Sequence, residues 1–186
     1  MIWLIVLLAV VVAVVLILIW LYNRFVRLRN RVDNAWAQIE VQLKRRWDLI
    51  PNLIETVKGY AAHERGTFEA VTQARANAQQ AQTPAETGAA EGILSQALGR
   101  LFAVAEAYPE LQADENFRQL QTELAETENR IAVSRQVYND AVLTYNNAVQ
   151  TFPGVVLAGP FGFSIREFFE VEAEAQREPP RVDFSS

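Results

Sequence analysis

The chain has 186 residues, room for one domain of ordinary size beside a membrane anchor. It has no cysteine, which excludes disulfide frameworks, thiolate metal sites, Fe–S clusters and cysteine nucleophiles. The formal charge of −5 is uneven: residues 22–65 carry nine basic and five acidic side chains, and residues 66–186 carry eight and seventeen.

Residues 2–21 are twenty consecutive apolar residues without a charge, glycine or proline, and as a helix they cover about 30 Å, one hydrocarbon core. Trp3 and Trp20 stand at the ends, where indole rings favour the interface, and Tyr22 adds to the inner girdle. No basic n-region or small-residue cleavage site marks a signal peptide. Arg24, Arg27, Arg29 and Arg31 follow at once, so the positive-inside rule places the N-terminus outside and the body in the cytoplasm, on a single-pass protein of the cell membrane. The basic stretch suits anionic headgroups, and the acidic remainder keeps the body soluble. Cations crowded at the membrane end, with no aromatic–basic recognition module, argue against nucleic-acid binding.

Alanine, glutamine, glutamate, arginine and leucine dominate after residue 22, which predicts an all-α body at 22–152, with a distinct segment at 153–186. Apolar residues recur near every 3.5 positions: Phe25, Leu28, Val32, Trp36, Ile39, Leu43, Ile50, Leu53, Val57, Tyr60, then Phe68, Val71 and Ala78. That is a long helix with a coiled-coil-like seam. Pro51 either starts a new helix capped by Asp48 or kinks a continuous one; the preserved heptad phase favours the kink.

Thr83, Pro84 and Gly88 make residues 79–90 a distal turn. A second helix shows a broad face at Ile93, Leu94, Ala97, Leu98, Leu101, Phe102 and Ala105. Pro109 opens a third, with a seam at Phe117, Leu120, Leu124, Ile131, Tyr138, Val142, Tyr145 and Phe152, about 66 Å long at the standard rise. Arms of nearly equal length predict an antiparallel up-and-down bundle of three to four helices. Residues 152–163, FPGVVLAGPFGF, cannot be helical throughout. Ser164 then looks like the cap of a short helix over 165–176, before an extended tail, REPPRVDFSS.

These residues resemble the LemA family of bacterial and archaeal membrane proteins over nearly the whole chain. The resemblance is carried by YNRFVRLRNRVDNAWAQIEVQLKRRWDLIPNLIETVKGYAAHE after the span, by ENFRQLQTELAETENRIAVSRQVYNDAVLTYNNAVQTFP, and by the closing FFEVE and PPRVDF. It implies a single N-terminal span and a four-helix up-and-down bundle, the fourth helix arising from a break at Pro51 or from the segment after Ser164. It brings no enzymatic activity, and it implies links to membrane assemblies and, by gene association, to membrane proteases and TPM-type domains.

Catalytic chemistry finds little footing. His63 is the only histidine, and HERGT lacks the second histidine of a zinc-protease helix. No GxSxG or phosphate loop occurs, so no catalytic residue, cofactor or metal is expected. Antiparallel arms bring QLKRRWD and TENRIAVSR to similar heights, which predicts a polar belt of Arg45, Arg46, Asp48, Glu128 and Arg130, with Glu128 paired to Arg45 or Arg46 and Asp48 to Arg130. The aromatic segment 152–169 has more apolar surface than a slender bundle buries, so Phe161, Phe163, Phe168 and Phe169 are expected at a contact between copies. The function expected is a membrane-anchored scaffold or adaptor, self-associating and docking other membrane proteins. The alternative is a regulatory subunit of a membrane protease or stress machine.

Overall fold

The computed structural model describes residues 1–170. The chain is all-α, with no strand among the described residues: α1 (Ile2–Lys58), α2 (Arg65–Gln80), α3 (Pro84–Glu106), α4 (Pro109–Ala113), α5 (Glu115–Gln150) and α6 (Gly154–Ala158). They form two compact units: residues 1–40 with 133–167, and residues 41–132 with the segment that begins at Phe168.

In the first unit, Leu21, Phe25, Val32, Ala35 and Ile39 of α1 are buried at heptad-like spacing, as are Tyr138, Val142, Tyr145 and Val149 of α5. The pairing is antiparallel. The Trp36 and Tyr138 rings lie 5.3 Å apart, while Phe25, earlier in α1, meets Phe163 beyond the end of α5 at 5.1 Å. Before Leu21 the helix is uncovered; Trp3 is 85% exposed and Trp20 55%.

The second unit holds the main core, in which Ile50, Leu53, Val57, Val71, Leu94, Leu101 and Leu111 lose essentially all solvent contact. α1 runs through Pro51 without ending. A proline there has no N–H for the carbonyl four residues earlier, that of Trp47, and such an orphan is costly when shielded from water. Arg75 of α2 supplies the missing donor, its Nε to the Trp47 carbonyl at 2.7 Å.

The helix ends instead at Lys58, in a turn over residues 59–64 where the N–H groups of Tyr60 and Ala61 both donate to the Val57 carbonyl. This corrects the expectation of one helix continuing to Ala78. The interruption falls at Gly59, a weak helix former, and Ala61 carries the core onward by packing in buried. Among the described residues, the further long helix therefore comes from this turn and not from a break at Pro51.

The distal connection is also shorter than expected. α2 reaches Gln80, and α3 begins at Pro84 behind a capping box: the Thr83 hydroxyl accepts from the Glu86 N–H, and the Glu86 carboxylate accepts from the Thr83 N–H. Gly88 lies inside α3. A Cβ there would run into the Glu170 carbonyl, so its absence lets the main chain after Phe168 lie directly on the helix. The third helix predicted from Pro109 is two, divided at Asp114, whose carboxylate caps α5 by accepting from the Phe117 N–H at 2.9 Å.

The short helix expected from Ser164 does not form over residues 165–170; its remainder lies outside the described residues. Side chains of α5 bind the backbone of this stretch and compete with helical hydrogen bonds. Tyr145 Oη donates to the Ser164 carbonyl and Tyr138 Oη to that of Glu167, each at 2.8 Å. Asn146 takes both backbone groups of Arg166, donating at 2.9 Å and accepting at 2.8 Å.

Candidate functional site

Three groups of side chains stand out. The first is the junction between the apolar helix and the body. α1 is the one helix among the described residues long and apolar enough to cross a membrane, a candidate span. Trp3 stands near one end of the apolar run, and at the other the Arg24 guanidinium lies over the Trp20 ring at 5.5 Å. Arg27 follows on the same helix. Tyr22 packs edge-on against Phe161 at 5.5 Å and Phe163 at 5.7 Å, and Arg29 lies over the Phe163 ring at 5.3 Å.

Of the four phenylalanines expected at a contact between copies, Phe163 and Phe169 are buried within the chain itself, and Phe161 and Phe168 are partly open. Gly162 explains the split. Its φ of +72° turns the chain between Phe161 and Phe163, so one ring stays outward while the other enters the core.

The second group is the clamp on residues 164–167. Arg166 adds an exposed ion pair to Asp33 at 3.2 Å. Burial pushes the Tyr138 hydroxyl up to about 12, Arg166 opposing and Glu167 and Asp33 reinforcing, and burial likewise raises Tyr145. Both phenols therefore remain donors well above neutral pH.

The third group is a charged layer inside the second unit. Arg46 is 5% exposed and Glu91 only 2%. Arg46 Nη1 reaches Glu91 Oε2 at 2.8 Å and Glu128 Oε2 at 2.9 Å, and its Nη2 donates to Ser95 Oγ at 2.9 Å. Trp47 Nε1 donates to the other Glu91 oxygen at 2.7 Å. Burial raises the Glu91 carboxyl above its ordinary value despite the pull of Arg46 and Trp47. Arg45 sits at long range from Glu123, 3.9 Å, on the exposed side. Of the expected belt, Arg46 and Glu128 meet; no ion pair joins Asp48 to Arg130 among the described residues.

Glu91 is absent from the expected belt because the belt pairs the first arm only with residues 127–135, on α5. Its signal was present: Glu91, Leu94, Leu98 and Leu101 share one seam, and Arg46 stands in the α1 seam between Leu43 and Ile50. His63 is exposed in the turn after α1. No group of three or more histidine, aspartate or glutamate side chains converges to hold a metal among the described residues.

A family model for the LemA family matches residues 35–184. The chain belongs to the LemA family. Two magnetosome proteins of Paramagnetospirillum magneticum, MamQ 1 and MamQ 2, are each 30% identical over 186 aligned positions, covering 86% of this chain and 68% of theirs. MamQ of Magnetospirillum gryphiswaldense is 28% identical, with 85% and 68% covered. Protein LemA of Metamycoplasma hominis is 27% identical, with 70% of this chain and 60% of that protein covered. The match begins inside α1, so it joins the heptad helix and the clamped segment in one unit of sequence.

Proposed function

We propose that this LemA-family protein is a membrane-anchored scaffold: the apolar helix fixes it in the cell membrane, and its helical surface self-associates and docks other membrane proteins without catalysing a reaction. The observation that carries this reading is the apolar surface that α5 leaves open. Val133 is 63% exposed and Val137, one turn on along the same side of the helix, 45%. The groups that carry unusual proton affinities support it too. Glu91, Tyr138 and Tyr145 are each engaged by a partner that holds a helix or strap in place, and Tyr60 donates to the Asp114 carboxylate that caps α5. The MamQ relatives are named for a magnetosome, not for a reaction.

The arginine collar favours a cytoplasmic body and an N-terminus outside. A photoreactive residue at Val137 tests the scaffold in native membranes. Discrete crosslinked protein bands are expected; a variant recovered only as uncrosslinked chain, with a control at solvent-facing Glu126 equally silent, contradicts the reading.

A further inference from the structure

The segment 152–161 presents an apolar surface at the foot of the first unit. Phe152 is 83% exposed, Val156 61%, Val155 54% and Phe161 41%, and FPGVVLAGPF contains no charge. Its position is fixed against α1. Phe161 lies 5.5 Å from Tyr22, and a Cβ on Gly154 would come within 3.1 Å of the Phe25 ring. Leu21, the last residue of the apolar run, is 2% exposed, whereas the run before it is uncovered. The segment therefore stands at the height where the apolar helix gives way to the arginine collar.

We infer that α6 and its flanking turns lie in the headgroup and upper acyl region of the bilayer, a second membrane contact beside the helical anchor. The inference rests on the reading of residues 2–21 as a span. Once that helix crosses a hydrocarbon core about 30 Å thick, Trp20 and Tyr22 fall at its interface, and whatever touches Tyr22 falls there too. Chemistry supports residence at that depth. Backbone donors of the segment are satisfied internally: Val155 to the Thr151 carbonyl, Val156 to Pro153, Phe161 to Leu157 and Phe163 to Ala158. Arg24, Arg27 and Arg29 on the adjoining turns of α1 supply the charge that anionic headgroups attract. A single span can tilt and rotate in the bilayer, carrying the first unit with it, and a second apolar contact fixes that unit's orientation to the membrane plane.

The test uses the full chain, which has no native cysteine, with an environment-sensitive fluorophore on V156C or F152C. Reporters at V11C in the apolar helix and E126C on the solvent-facing side of α5 serve as references. The protein is reconstituted in phosphatidylcholine–phosphatidylglycerol vesicles, with spin labels placed shallow or deep in the lipid and iodide as the aqueous quencher. The expected result is deep-label quenching at position 11, shallow-label quenching with a blue shift at 156 and 152, and iodide quenching alone at 126. If position 11 is quenched by lipid while 156 and 152 respond only to iodide, the interfacial contact is overturned and the span survives. Shielding of 156 and 152 from both lipid and iodide also overturns it, since protein then covers the segment. Absence of lipid quenching at 11 removes the span reading and the inference with it.

Discussion

Arg46→Ala offers the sharpest test of the buried charged layer. The substitution leaves Glu91, 2% exposed, with only the Trp47 indole N–H on its carboxylate. Removing one partner of a buried pair costs about 3–5 kcal/mol, because the remaining charge is left uncompensated. The pair to Glu128 adds little, since that side chain is 53% exposed and such pairs contribute roughly 0–1 kcal/mol. At about 2–4 °C per kcal/mol for a chain of this size, the melting temperature should fall by roughly 6–20 °C. Glu91→Gln keeps the shape and leaves Arg46 with Glu128 and Ser95, so its cost should be nearer 1–3 kcal/mol, the order expected for one compromised buried hydrogen bond. The double change R46M/E91L removes both charges and should lie closer to wild type than Arg46→Ala, as replacement of buried pairs by apolar groups often does. Thermal melts followed by far-UV circular dichroism in mild detergent read all three. A wild-type melt for Arg46→Ala, or a double variant less stable than the single, would refute the reasoning.

The Glu91 carboxyl, raised above its usual 4.5, binds protons in the folded state before it does in the unfolded chain, so its contribution to stability grows as pH falls from the raised value toward 4.5. The wild-type melt should therefore gain on that of Glu91→Gln across that window; a constant offset contradicts it. Arg75→Ala should destabilise by about 1–3 kcal/mol by leaving the Trp47 carbonyl unpartnered, and Pro51→Ala, which restores a helical N–H to that carbonyl, should recover much of the loss in the double variant. Equal losses from Arg75→Ala with and without Pro51 would show that the contact does not serve the proline. A cysteine at exposed Ala85 should resist impermeant thiol reagents in intact cells and react after permeabilisation; labelling in intact cells reverses the topology.

Heptad spacing made the long helices legible, because burial along α1 and α5 follows the same few residue types that set the pattern. Breaks were harder. At residues 59–64 the apolar phase resumes after the turn, so periodicity alone runs straight through it, and only Gly59 marks the end. TPAE at residues 83–86 carries the capping box that opens α3, yet its proline and the following glycine read as a loop. Clamping of residues 164–167 was invisible for a different reason: nothing in SIRE announces that two tyrosines and an asparagine, on a helix many residues away, will take its backbone bonds. The buried layer was half legible. Arg46 and Glu128 follow from antiparallel height, whereas Glu91 stands on α3, outside the two polar runs that this comparison aligns.

The scaffold reading is tested most directly by chemical crosslinking of the full-length chain in native membranes, followed by sizing of the mild-detergent extract against the same extract without crosslinker. The account predicts a species well above the mass of the monomer and its micelle, containing more than one copy or a second membrane protein, and retained when the detergent is diluted. A single monomeric peak in both samples, with no crosslinked band at any reagent concentration that leaves the fold intact, would contradict it.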